Sequence, residues 1–186
     1  EWQVFEDRPL ANDAWDIDLY YQEHPLPAPE YVSIKLIEQS AVRLAVQLYW
    51  QMPLVSNDLQ STITQQIVLY ANNPRIDFET KIDWHEHHQL LKIAFPVDIR
   101  ATDATYEIQL GNLKRPTHYN TSWDLARFEV CAHRFVDLSE HGYGVSLLNN
   151  CKYGHDIHEG VIRLTCIKSP QSPDPSADQG YHEFTY

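Results

Sequence analysis

Strict two-residue alternation is the feature that most constrains this chain. Ile76, Phe78, Thr80, Ile82 and Trp84 alternate with Asp77, Glu79, Lys81 and Asp83. Successive strand side chains point to opposite faces, so this run reads as a strand with one dry face and one wet face. Val42, Leu44, Val46, Leu48 and Trp50 repeat the pattern against Arg43, Ala45, Gln47 and Tyr49. Further strands are predicted near residues 2–6, 14–20, 31–38, 61–70, 89–96, 104–110, 127–135, 143–148 and 161–167. These runs are rich in the Val, Ile, Thr, Tyr and Phe that suit a pleated surface. No window carries a long 3.6-residue period. A helical turn near 123–129 competes with the strand-like alternation of Phe128, Val130 and Ala132.

About eleven strands without a convincing helix predict an all-β fold, a large antiparallel β-sandwich. The 186 residues suffice for one such domain with a sizeable core. Proline clusters at Pro25–Pro29 and Pro170–Pro175 read as rigid connections. The start at Glu1 without methionine, and the stop at Tyr186 inside an alternation, predict a fragment of something longer.

Charge narrows the partners. With 14 Lys+Arg against 26 Asp+Glu the net charge is −12, and the longest basic run is the pair Lys114-Arg115. Phosphate backbones are held by clustered Lys and Arg, so no nucleic-acid partner is expected. No stretch nears the ~18 apolar residues of a membrane helix, so no membrane partner is expected either. An odd, sparse set of cysteines (Cys131, Cys151, Cys166) argues against a disulfide framework and for a cytoplasmic setting.

Several constellations invite a chemical reading. Residues 85–88, His-Glu-His-His, interrupt two strands and read as a hairpin tip rather than a metal site. Cys131 and His133 on one strand face would stand about 7 Å apart, too far for a dyad, which leaves a buried thiol and a surface imidazole. Asp13, Asp16 and Asp18 surround Trp15, and an aromatic ringed by carboxylates suits a sugar: C–H faces stack on the ring and hydroxyls donate to the acids. Asp174, Asp178, Gln179 and His182 sit in or after a proline-stiffened loop that can hold polar groups for a ligand.

Three ordered blocks then resemble one known family. They are Phe5-Glu6-Asp7-Arg8-Pro9 with Asp13-Ala14-Trp15-Asp16-Ile17-Asp18, then Arg115-Pro116-Thr117-His118-Tyr119-Asn120-Thr121-Ser122-Trp123-Asp124, and then Leu147-Leu148-Asn149-Asn150-Cys151-Lys152-Tyr153-Gly154 continuing to Ala177-Asp178-Gln179-Gly180. The chain resembles glycoside hydrolase family 38, the α-mannosidases, in the branch with cytosolic and bacterial enzymes, and specifically their C-terminal β-sandwich region. That resemblance implies a galactose-mutarotase-like supersandwich, one domain over residues 1–186, non-catalytic and lining the substrate cleft. It implies that the aspartate nucleophile and the zinc of this retaining family belong to an N-terminal catalytic domain of the same parent chain, so no catalytic residue, metal ligand or cofactor is expected here. It implies an α-mannoside or oligosaccharide substrate for the parent. In the Golgi and lysosomal branch a pocket-lining Tyr corresponds to Trp15, and an Arg near the substrate falls in the region of Asp178-Gln179-Gly180. Trp15, Asp16, Asp178 and His182 are accordingly expected to lie near the sugar. An independent carbohydrate-binding module is the alternative.

Overall fold

The computed structural model of the chain describes residues 1–54 and 59–186. Its described residues form fifteen strands: β1 (Trp2–Glu6), β2 (Pro25–Leu26), β3 (Glu30–Gln39), β4 (Arg43–Gln51), β5 (Thr62–Tyr70), β6 (Ile76–Trp84), β7 (Gln89–Pro96), β8 (Asp103–Ile108), β9 (Gly111–Pro116), β10 (Val130–Cys131), β11 (Phe135–Glu140), β12 (Tyr143–Leu148), β13 (Gly154–His158), β14 (Val161–Lys168) and β15 (Gly180–Thr185). All pairs are antiparallel. One sheet runs β10-β13-β14-β7-β1-β2, a second β12-β11-β8-β9, and a third β15-β6-β5-β4-β3. The antiparallel β-sandwich is therefore as the alternation predicts.

The two long alternating runs become β4 and β6. Ile82 and Trp84 are fully buried while Lys81 and Asp83 stay exposed. Trp2 of β1 meets Trp50 of β4 edge-on at 6.1 Å, and Phe78 of β6 meets Phe95 of β7 at 5.5 Å, so the six- and five-stranded sheets face each other. Tyr106 and Leu138 of the four-stranded sheet complete the same core.

The other face of the six-stranded sheet is also covered. Phe5 and Leu90 pack with Tyr21, flanked by Ile17 and Phe128. Connecting segments, rather than another sheet, lie over this face. One contains Tyr21–Glu23 as a single 3₁₀ turn. The other contains α1 (Ser122–Leu125), one helical turn started by a capping box in which Thr121 and Asp124 each bond the other's backbone amide.

Three expectations need correction. Residues 14–20 are turns, not a strand, because positive φ at Asn12 (54°) lets its carbonyl accept the amides of both Trp15 and Asp16. Residues 127–135 hold only the two-residue β10 and the first residue of β11, and Cys131 is exposed rather than buried. Residues 85–88 are no hairpin tip: β6 and β7 belong to different sheets, so this four-residue link is a corner between the layers. Polar residues fit a tip and a corner equally well, so polarity alone did not separate them.

Candidate functional site

Three connections converge at one end of the sandwich: residues 8–20, the corner 85–88 and the loop 169–179. Asp7 organises the first. Its backbone amide donates to the His88 carbonyl at 2.8 Å. One carboxylate oxygen accepts the Asp18 amide at 3.0 Å, closing the loop between them, and the other pairs with Lys168 on β14. Within that loop Asn12 Nδ2 donates to Asp16 at 3.3 Å.

Ser169 joins the corner to the third connection. Its carbonyl accepts the His88 amide at 2.8 Å, and its hydroxyl donates to the Gln89 carbonyl at 2.9 Å. Asp13 then ties the first connection to the third: its Oδ2 accepts the amides of Gln171 (2.7 Å) and Ser172 (3.1 Å). The Gln171 side-chain nitrogen lies 2.7 Å from Nδ1 of His87, and Gln179 donates to the Glu86 carbonyl at 2.7 Å. Glu86 in turn accepts the Ser61 hydroxyl at 2.8 Å. Oδ1 of Asp13 is buried and bonds no described residue.

The four residues expected near a sugar fall into two pairs on this end. Trp15 and Asp16 share the first connection, where the indole is 74% exposed and Asp16 is exposed beside it. Asp178 and His182 flank the start of β15. Asp178 adopts φ 60°, and His182 Nε2 donates to its carbonyl at 2.8 Å. Burial raises the Asp178 carboxyl above the usual range, with the His182 imidazole opposing. No described hydrogen bond joins one pair to the other directly. Asp13, two residues before Trp15, and the loop 169–179 that ends at Asp178 are the link. An exposed aromatic face beside carboxylates and amides can stack against a ring and accept hydroxyl protons.

A second constellation escaped the sequence reading. Leu90, Lys92 and Ala94 share the face of β7 that the segments holding Tyr21 and Glu129 cover. Lys92 is completely buried there. Its ammonium lies 2.8 Å from Asp156 of β13 and ion-pairs with Glu129, and Arg163 of β14 lies 2.7 Å from the other Asp156 oxygen. The Tyr21 hydroxyl donates to Glu129 at 2.8 Å. Burial alone would pull Lys92 down, but the two carboxylates outweigh it and hold its pKa well above the ordinary value. Burial pushes Glu129 up, whereas Asp156, between two cations, is held low. The signal for this network was a lone lysine inside the apolar run Leu90-Leu91-Lys92-Ile93-Ala94-Phe95.

Among the described residues no three His, Cys, Asp or Glu side chains stand together as a metal-ligand set. No described helix is long and apolar enough to cross a membrane.

Comparison with known proteins places this architecture. The family described as Glycosyl hydrolases family 38 C-terminal domain matches residues 1–176. Alpha-mannosidase 2C1 of Homo sapiens is 44% identical across 100% of this chain, which covers 18% of that protein. Alpha-mannosidase G of Dictyostelium discoideum is 45% identical across 98% of the chain, which covers 17% of it. The chain thus spans less than a fifth of the length of these relatives. In fold, the crystal structure of an alpha-mannosidase from Enterococcus faecalis V583 superposes with a TM-score of 0.75 at 15% identity, over 99% of this chain and 24% of that one. The chain belongs to the C-terminal domain family of the family 38 glycosyl hydrolases.

Proposed function

We propose that residues 1–186 act as one β-sandwich domain of a longer, zinc-dependent retaining α-mannosidase, lining its substrate cleft and bracing its catalytic domain. The observation that carries this reading is the convergence of the three connections, which sets the exposed Trp15 and the Asp178–His182 pair at one end of a family 38 C-terminal domain. The relatives' names, each an alpha-mannosidase, support an α-mannoside or oligosaccharide as substrate of the parent. The described residues hold no set of three that fits a zinc site; in this reading the metal and the nucleophile belong to another part of the parent. This chain would contribute binding: Trp15 stacks on a sugar face, Asp16 and Asp178 accept hydroxyl protons, and His182 braces Asp178. Three free cysteines, two of them exposed, support a reducing, cytoplasmic setting.

Trp15 also favours a second reading, an independent carbohydrate-binding module, because a largely exposed indole is a ready stacking platform. Titration of the 186-residue chain with mannose and α-mannobiose separates the two. The cleft-wall reading expects no saturable binding and no hydrolysis of an aryl α-mannoside with zinc supplied. Saturable binding supports the module, and zinc-dependent turnover contradicts both.

A further inference from the structure

Three cations stand in a row under the connections that cover the six-stranded sheet. In the β7–β14 register Lys168 lies opposite Leu90, Thr165 opposite Lys92, and Arg163 opposite Ala94. Paired residues, and residues two apart on one strand, share a face. Lys92, Arg163 and Lys168 therefore share the face on which Leu90 packs with Phe5 and Tyr21. The Lys92 side chain is fully buried, and those of Arg163 and Lys168 are only 14% and 15% exposed. Each cation meets a carboxylate: Lys168 meets Asp7, Arg163 meets Asp156, and Lys92 meets both Asp156 and Glu129. Apolar residues of the same volume often replace a buried ion pair without loss of stability. Stability alone therefore does not call for three cations on a face that Leu and Ile could fill. Charge-assisted hydrogen bonds add what apolar packing lacks, which is direction.

The connection that carries Trp15 is tied to this row at both ends. At its start Asp7 takes Lys168 and the Asp18 amide. At its end Tyr21 is fully buried, edge-on to Phe5 at 5.1 Å, with the Lys92 ammonium 5.1 Å from its ring centre. The Tyr21 hydroxyl donates to Glu129 at 2.8 Å and accepts the Gln22 side-chain amide at 2.9 Å. Glu129 belongs to the other covering connection, the one that contains α1, so this hydroxyl joins the two covers directly above Lys92. Between the two ties, Ile17 packs on the same cluster. The exposed Trp15 ring stands on the turn just before it, where the Asn12 carbonyl accepts the amides of Trp15 and Asp16.

We propose that Tyr21 is a positioning residue for the sugar-facing end of the sandwich: its hydroxyl, held by Glu129 above Lys92, fixes where the Trp15 ring stands. The proposal rests on the reading of Trp15 as a substrate contact. Ring and hydroxyl are separable here. Tyr21→Phe keeps the packing against Phe5 and Phe128 and removes only the oxygen that joins the two connections. Glu129 keeps its pairing with Lys92 in that variant, so no buried charge is left alone.

A double-variant cycle in the longer polypeptide that carries this chain tests the proposal. Tyr21→Phe is expected to raise KM for an aryl α-mannoside about threefold at unchanged kcat. In a Trp15→Ala background the same replacement is expected to change KM by less than about 1.5-fold, because residues that act through one another are not additive. An equal effect of Tyr21→Phe with and without the indole overturns the proposal, since a general loss of stability does not depend on Trp15. Wild-type KM in Tyr21→Phe overturns it as well. Where Tyr21→Phe does not fold, Gln22→Ala loosens the same hydroxyl from a half-buried position and carries the cycle with the same two outcomes. Amide exchange supplies a readout apart from activity: Tyr21→Phe is expected to speed exchange at Trp15 and Asp16 about tenfold and to leave β5 and β6 unchanged. Exchange that quickens equally throughout the chain contradicts a positioning role. Wild-type KM in Trp15→Ala sinks the functional reading and this proposal with it, whereas a raised KM there with an additive Tyr21→Phe effect sinks the positioning alone.

Discussion

Asp13 accepts the backbone amide of Gln171 at 2.7 Å, joining two connections 158 residues apart. The same oxygen takes the Ser172 amide, so one carboxylate fixes how the segment bearing Trp15 sits against the loop that leads to Asp178. Hydrogen bonds to a charged group contribute about 1.5–3 kcal/mol, less where partly exposed. Asp13→Ala should therefore cost about 1–2 kcal/mol in urea denaturation. It should also speed amide exchange at Gln171 and Ser172 while leaving β6 and β7 unchanged. Unchanged exchange at both amides would remove Asp13 from this role.

The buried network predicts a larger effect. Lys92→Met keeps most of the side-chain volume but leaves Glu129 buried without its cation, since Arg163 pairs with Asp156 and not with Glu129. Removing one partner of a buried ion pair costs about 3–5 kcal/mol. The double variant Lys92→Met with Glu129→Gln should recover part of that loss. Urea denaturation of the single and double variants measures both, and a single variant within about 1 kcal/mol of the parent would contradict the account.

His155 predicts an acid limb to stability. It is fully buried on β13, and its neutral tautomer satisfies both ring nitrogens: Nδ1–H donates to the Tyr153 carbonyl at 3.0 Å, and Nε2 lies 3.4 Å from the Asn149 side-chain nitrogen that donates to it. A proton on Nε2 would face that donor. Burial accordingly lowers its pKa from 6.5 to about 4. Between those values the unfolded chain binds a proton that the folded chain refuses, so stability falls as pH drops from about 6.5 and levels off below about 4. The whole effect is about 3 kcal/mol. His155→Gln should flatten this part of the stability–pH curve, and an unchanged slope would assign it to other groups.

The cysteines give a simpler check. Cys131 and Cys151 are exposed, whereas Cys166 is buried and its thiol is pushed up to about 12. In native buffer a disulfide reagent should titrate two thiols per chain promptly and the third only on denaturation. Prompt reaction of all three would contradict the packing of β14.

The sandwich was legible because burial in a sheet writes itself as alternation, and β4 and β6 carry that pattern without a break. Elements whose partners lie far along the chain were harder to see. β9 (Gly-Asn-Leu-Lys-Arg-Pro) and β13 (Gly-His-Asp-Ile-His) read as polar, because β9 is an edge strand and Asp156 of β13 is buried only by virtue of Lys92 and Arg163. Residues 14–20 looked like a strand, but positive φ at Asn12 and the closing bond from Asp18 to Asp7 made them a loop. At the candidate site the sequence singled out Trp15, Asp16, Asp178 and His182 individually. It did not reveal Asp13 as the tie between their loops, since a carboxylate that accepts distant backbone amides has no local signature.

Trp15 supplies the most direct test of the central claim. Its ring is largely exposed, so Trp15→Ala should leave thermal stability nearly unchanged. If the ring stacks on substrate, the loss is about 1 kcal/mol, which raises KM for an aryl α-mannoside roughly fivefold in the longer polypeptide that carries this chain. Steady-state kinetics of that variant, with the melting temperature measured alongside, are predicted to show the raised KM at an unchanged melting temperature. Wild-type KM and kcat in Trp15→Ala would contradict a substrate-facing role for this end of the sandwich.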